Sequence, residues 1–378
     1  MRRIAAAAHA LTGLVLFGAV ASAQSTGAVP RPSREPWTRA VGTDTTRLAY
    51  RGLDYGSEAY FSPLTVLLNK GFDIYQVRDS PRDFWGYPYG AAWDHAIKGV
   101  FDGAAPAIAR FGGWGRFTRF ELLPISWSEH DANWVPNYLE HLLGGGITMR
   151  MLDEWYRDHH VPLPRLWAML TTYGASVLNE ITEARGDTIA RSPGVADLLF
   201  FDAAAVALFH WDQPTRFFTQ TLQLADWSNQ ATFTFPDRKL QNNGEYMTLK
   251  VPIGLERARI FIRFGLSGQT GFSWKLDEEY HVSFGLGGDT QARFVDKTGH
   301  ETVAFARGGG VYYDRNNSLL WSAVAGGNEN IGAVNVYPGV LPGIARNLGA
   351  WVVYTRHGQV AFGVVHRRAL GLGLGLGR

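Results

Sequence analysis

Four stretches in the second half of the chain alternate strictly along the backbone. Met247, Leu249, Val251 and Ile253 alternate with Thr248, Lys250 and Pro252. Ala258, Ile260, Ile262, Phe264 and Leu266 alternate with Arg257, Arg259, Phe261, Arg263 and Gly265. Thr270, Phe272, Trp274 and Leu276 follow the same rule, as do Tyr280, Val282, Phe284 and Leu286. Period two sends successive side chains to opposite faces, so each stretch is a strand with one apolar and one polar face. Such a strand needs neighbours, and its apolar face needs protein or lipid against it.

Looser strand-like segments continue over Glu301 to Tyr313, Ser318 to Ala325, Ile331 to Tyr337, Ala350 to Arg356 and Gln359 to His366. Asn242-Asn243-Gly244, Arg315-Asn316-Asn317 and Arg356-His357-Gly358 supply turns. From Ala369 Leu alternates with Gly, which reads as a loose last strand. Eight to ten strands suit a small barrel or a sandwich. A soluble β-sandwich turns the apolar face inward; a membrane barrel turns it to lipid, with polar residues lining the lumen. Arg257, Arg259 and Arg263 on one face favour a polar lumen. The C-terminal Arg378, in place of a terminal aromatic residue, points the other way. The balance is a small outer-membrane barrel, with the sandwich as the alternative.

The first half has a different grammar. Residues 1–23 read as a secretory signal peptide: Arg2 and Arg3, an apolar run to Val20, then Ala21-Ser22-Ala23 before Gln24. Residues 24–56 read as an extended linker and 57–217 as a helical module, with the β-rich domain over 225–378. Candidate helices are Pro63 to Leu68, Ala91 to Phe111, Trp134 to Asp158, Pro164 to Ala184 and Pro193 to His210. Ala203 to Leu208 has no polar side, so the module is expected to bury its helices or associate with a membrane. The fold class is therefore α+β. Beyond the leader no continuous apolar stretch of about twenty residues occurs.

An exported chain without cysteine has no disulfide, thiolate metal site, cysteine nucleophile or lipidated cysteine. A net charge of +2 gives no electrostatic footprint for nucleic acid. The 13 Trp and 15 Tyr suit a membrane interface, though a large core or a carbohydrate surface is also rich in them.

Polar groups inside the apolar helices are the candidates for chemistry: Glu140 and His141; Asn179, Glu180 and Glu183; Asp197 and Asp202. Glu180 and Glu183 share a helix face. His141, Glu180 and Glu183 could bind a divalent metal through one imidazole and two carboxylates. One of these acids, or Asp197, could instead serve as a general acid or base. The competing reading is a buried network in which these groups satisfy one another, and it is preferred. No His-Glu-x-x-His or Gly-x-Ser-x-Gly motif is present, and no cofactor is called for. On an unbroken helix His141 and Arg150 face opposite sides, and Gly144 to Gly146 either break it or permit close approach. Asp158-His159-His160 reads as a helix-end cap.

The order His141 with Gly145, Arg150, Asn179-Glu180-x-x-Glu183 and Ser192-Pro-x-x-x-Asp197 resembles uncharacterised bacterial envelope families. Their helical module has a His/Gly helix, a Glu-rich helix and a Ser-x-x-Asp helix, and in some an outer-membrane-like β region follows. The resemblance covers about residues 90–210 and implies an envelope location without an assigned activity. The sequence departs from it at Asp202 and the alanines that follow, where Asn then Gly is expected. The expected function is an outer-membrane structural or binding protein whose partners are membrane lipid and an envelope protein or lipid ligand. A lipid- or envelope-directed enzyme using the His/Glu cluster and a small outer-membrane channel are the rivals, and the periplasm is the alternative location.

Overall fold

The computed structural model describes residues 47–76, 84–97, 100–101, 103–123, 135–183, 192–295, 301–326 and 330–377. The expected signal peptide and the linker up to residue 46 lie outside the described residues. The chain is α+β, with helical elements from Ser57 to Thr221 and one large sheet from Ala225 to Gly377.

Helix α1, Pro63–Gly71, opens on a capping box between Ser62 and Thr65, with Pro63 at its first position. Helices α2, Tyr89–Ile97, and α3, Ala104–Phe111, follow. A π-helical stretch, Val135–Gly144, leads without a break into α4, Gly145–Asp158. Gly144 to Gly146 therefore do not end the helix. A side chain at Gly146 would collide with the ring of Phe209, so this glycine permits close helix approach. Helix α5, Pro164–Glu183, buries Ala168, Thr172, Ala175, Ser176 and Asn179 along one stripe. Ser192–Ala196 passes through a π-helical turn, Asp197–Phe201, into α6, Asp202–Phe209.

Ten strands form an antiparallel meander: β4 Tyr246–Pro252, β5 Ala258–Gly265, β6 Ser267–Lys275, β7 Tyr280–Val295, β8 Glu301–Arg315, β9 Ser318–Gly326, β10 Asn330–Val336, β11 Leu348–Thr355, β12 Val360–His366 and β13 Gly373–Gly377. Three short strands, β1 Ala225–Asp226, β2 Thr232–Phe235 and β3 Leu240–Gln241, complete the sheet. Ala225 and Asp226 pair antiparallel with β4, and β2 pairs parallel with β13. One extended segment thus holds both margins of the meander. Asn229 donates to the Gly244 carbonyl on one side, and Gly373 donates to the Ala231 carbonyl on the other. The strand order is linear, from β1 to β3, and the ladder is not closed into a barrel. It is also one sheet and not two facing sheets, so the sandwich alternative is not the architecture.

The sheet is nonetheless strongly curled. Strands β4 and β8 are four ladder spacings apart, ~19 Å on a flat sheet. Lys250 Nζ of β4 lies 2.6 Å from Asp314 Oδ1 of β8. Trp351 Nε1 on β11 donates to Thr232 Oγ1 on β2 at 2.8 Å, across two intervening strands. Trp227, Phe261, Tyr312, Leu319, Tyr337 and Val365 meet in one cluster inside the curl, and Tyr60 from the helical half joins them. The Tyr60 hydroxyl donates to the Val365 carbonyl at 2.8 Å. Inward glycines make room for this filling: a Cβ at Gly363 or Gly375 would press on Thr232. That explains the Leu-Gly tail, whose Leu374 and Leu376 point out while Gly373 and Gly377 are buried.

Candidate functional site

On β6 and β7 polar side chains point inward and large apolar ones outward. Ser267, Gln269 and Ser273 of β6 are buried, whereas Phe272 and Trp274 are exposed. On β7 Ser283 is fully buried and Leu286 is 77 % exposed. On β12 Val360, Phe362 and Val364 are exposed between inward Ala361, Gly363 and Val365. Several of the buried polar groups bond to one another, which offsets part of the cost of burying them. Ser283 bonds Ser273 at 2.9 Å, Tyr312 bonds Gln269 at 2.6 Å and Arg263 bonds Ser267 at 2.9 Å. Arg263 also lies over the Tyr246 ring at 3.5 Å. Of the polar face read from Arg257, Arg259 and Arg263, Arg263 is buried inside and Arg259 is half-buried, while Arg257 precedes β5 and is exposed. Tyr280, Tyr313 and Trp321 form an aromatic run near one end of the strands.

Part of the outer face is covered. Met247, Leu249 and Phe264 are buried with Ile147, Met151 and Leu152 of α4, and Ile262, Leu139 and Leu143 pack onto this core. The apolar side of Ala258 to Leu266 therefore points outward, beneath helices along this part of its length.

At this junction the helices carry a buried charged cluster. His141 sits on the π-helical stretch and places Nδ1 3.1 Å from Asp202 and Nε2 3.7 Å from Asp197. Asp197 and Asp202 are five residues apart, which an α-helix would send to different sides. The π-helical turn between them, bonded i to i+5, allows both to reach one imidazole. Burial alone would discharge His141; Asp197 and Asp202 override it and hold its pKa up at about 10. Asp202 is drawn below the usual carboxylate range: burial opposes this, but His141 and Lys70 prevail.

Lys70, in the last turn of α1, lies 3.8 Å from Glu245 just before β4. Burial works against its charge, and Glu245, Asp202, Asp73 and Glu140 outweigh it, leaving the ammonium above its ordinary range. Thr148 of α4 donates to the other Glu245 oxygen at 2.9 Å. Glu140 is pushed up to about 7, first by burial and then by Glu245 and Glu183 against the pull of His141 and Lys70. Lys70, Glu140, His141, Asp202 and Glu245 thus form one network tying helices to sheet.

The sequence candidates divide. His141 and Asp197 come together. Glu180 is buried beside Gly194, and Glu183 acts on Glu140 through its charge. Among the described residues no group of three or more His, Asp and Glu is placed to hold a metal ion, so the set His141, Glu180 and Glu183 is not gathered as a metal site. Asn179 donates to Asp73 at 2.5 Å, and Arg150 turns away from His141 to Glu154 and Asp212. His159 closes its helix as expected, reaching the Trp155 carbonyl at 2.8 Å and stacking on that ring. Sequence reasoning missed Lys70, which lies in the last turn of an otherwise uncharged helix, and Glu245, which follows the Asn-Asn-Gly turn and carries no local signal. No protein-family model, curated protein or solved structure matches this chain.

Proposed function

We propose that this chain is an exported envelope protein whose curled sheet is embedded in the outer membrane as a structural or binding element. The observation that carries this reading is the outward apolar face of the sheet. Large apolar side chains on β6, β7, β12 and β13 point outward and bare, while Ser, Thr, Gln and ionic groups share the inside with an aromatic cluster. A monomer in water rarely leaves so many large apolar side chains on one face of a sheet exposed. In lipid the same surface is matched to its solvent, and the inward polar groups are shielded.

The interior speaks against a wide channel, because Tyr60, Trp227, Phe261, Tyr312 and Tyr337 and the Lys250–Asp314 pair occupy it. The charged cluster at the helix–sheet junction supports a clamp better than a reaction centre. His141 is held protonated between two carboxylates and so is a poor base near neutrality.

The test is fractionation of the expressing cell. The protein should sediment with outer membranes and resist salt and carbonate washes. Recovery as a detergent-free periplasmic monomer would defeat the reading.

A further inference from the structure

The helices do not stand above or below the sheet; they stand beside it. Leu249 pairs with Ile262, Ile262 with Thr270 and Thr270 with Leu286, so these residues form one row across the outer face. The row is covered by the helical core at Leu249 and Ile262 and is bare at Leu286. Helix α4 is therefore level with the bare apolar belt, and α5 packs on α4 through Ala168 and Ala175.

Among the described residues, the far side of α5 is left largely uncovered. Leu163, just before the helix, and Leu166, Trp167 and Leu170 are 46–67 % exposed. Their spacing of three, four and seven puts them on one stripe. The stripe is ~10 Å long, a third of a hydrocarbon core, so it suits an interface and not a span. No single helix among the described residues is long and apolar enough to cross a membrane. Two arginines stand at the start of the stripe: Arg157 and Arg165 share one carboxylate, Asp153, at 2.9 and 3.2 Å, while Asp158 pairs with Arg47 and Asp212 with Arg150. His210 lies 3.3 Å from Arg165, and exposed His159 and His160 lie just before the stripe. An apolar stripe with arginines at its rim is what seats a helix among acyl chains beneath anionic headgroups.

We propose that the Leu163/Leu166/Trp167/Leu170 stripe of α5 docks on the lipid–water interface, with Arg157 and Arg165 facing anionic phospholipid headgroups. The proposal rests on the membrane reading of the sheet, because the height of α5 is set by the belt beside it.

The chain has no cysteine, so single-cysteine variants carry one label each. Full-length protein bearing a nitroxide at Leu286→Cys, Trp167→Cys or Glu278→Cys is reconstituted into phosphatidylcholine vesicles, with and without phosphatidylglycerol. Labels at Leu286 and Trp167 should collide several-fold more with oxygen than with a water-soluble nickel chelate, and the turn label at Glu278 should show the reverse. Phosphatidylglycerol should lower nickel collisions at Trp167 further, and Arg165→Gln should remove that response. A lipid-shielded Leu286 with an aqueous Trp167 overturns the proposal and leaves the sheet's reading standing. Aqueous labels at both overturn both. A Trp167 label indifferent to phosphatidylglycerol overturns the role of the two arginines.

Discussion

Glu140 and His141 are adjacent in the chain and both are raised, Glu140 by burial and His141 by two carboxylates against burial. Glu140 is raised to about 7, above its unfolded value. Its contribution to stability is therefore complete below the ordinary carboxylate range and is lost as pH rises through about 7. Glu140→Gln mimics the neutral form. It is expected to raise the melting temperature at pH 8, by an amount equivalent to about 1–3 kcal/mol, and to change little at pH 4. A lower melting point for this variant at pH 8 would show that the Glu140 charge is needed. For His141 the folded value of about 10 also exceeds the unfolded one. The stabilisation is complete below about 6.5 and fades as pH climbs through about 10. His141→Ala leaves Asp197 and Asp202 without their cation, and removing one partner of a buried pair costs about 3–5 kcal/mol. Denaturation at two pH values decides: the deficit should be large at pH 7 and much smaller at pH 10.

At the scale of elements, the strands were legible because a period of two is a local property, and the four clean alternating stretches all form strands. Even the Leu-Gly tail is a strand, β13, with its leucines outward. What covers each face was not legible. Nothing in Ile262 distinguishes it from Phe284, yet one lies under helices and the other is bare, because the cover comes from residues over a hundred positions away. The partners of His141 were hidden for a different reason: spacing rules assume α-helical turns, whereas His141 lies on a π-helical stretch and a π-helical turn separates Asp197 from Asp202. Phe284 gives the sharpest test at this scale. On a lipid-facing strand Phe284→Arg should cost about 2–4 kcal/mol near the midplane, whereas on a water-facing one an exposed substitution stays within about 0.5 kcal/mol. Folding titrations of wild type and variant into vesicles would separate the two, and an unchanged midpoint would remove the sheet from the bilayer.

The molecule as a whole depends on contacts that cross the inside of the curl. Lys250 and Asp314 are the clearest, both fully buried and 2.6 Å apart although four ladder spacings separate their strands. The ammonium also lies 5.1 Å from the Trp227 ring, and Asp314 accepts the Asn317 backbone amide at 3.0 Å, so the pair links β4, β8 and the segment joining the sheet's margins. Lys250→Met alone leaves a buried carboxylate without its cation, and Asp314→Leu alone leaves a buried ammonium; each should cost about 3–5 kcal/mol. The double variant replaces both charges with apolar groups of similar bulk and should lose far less than the two single losses together, since a buried pair exchanged for packed side chains is often neutral. The coupling energy from the double-mutant cycle is then large and reports direct contact. On a flat sheet the two residues would stand ~19 Å apart, and at that separation the effects of the two substitutions add. Additive losses would mean that the sheet does not curl onto itself, and would withdraw the enclosed polar interior on which the membrane reading depends.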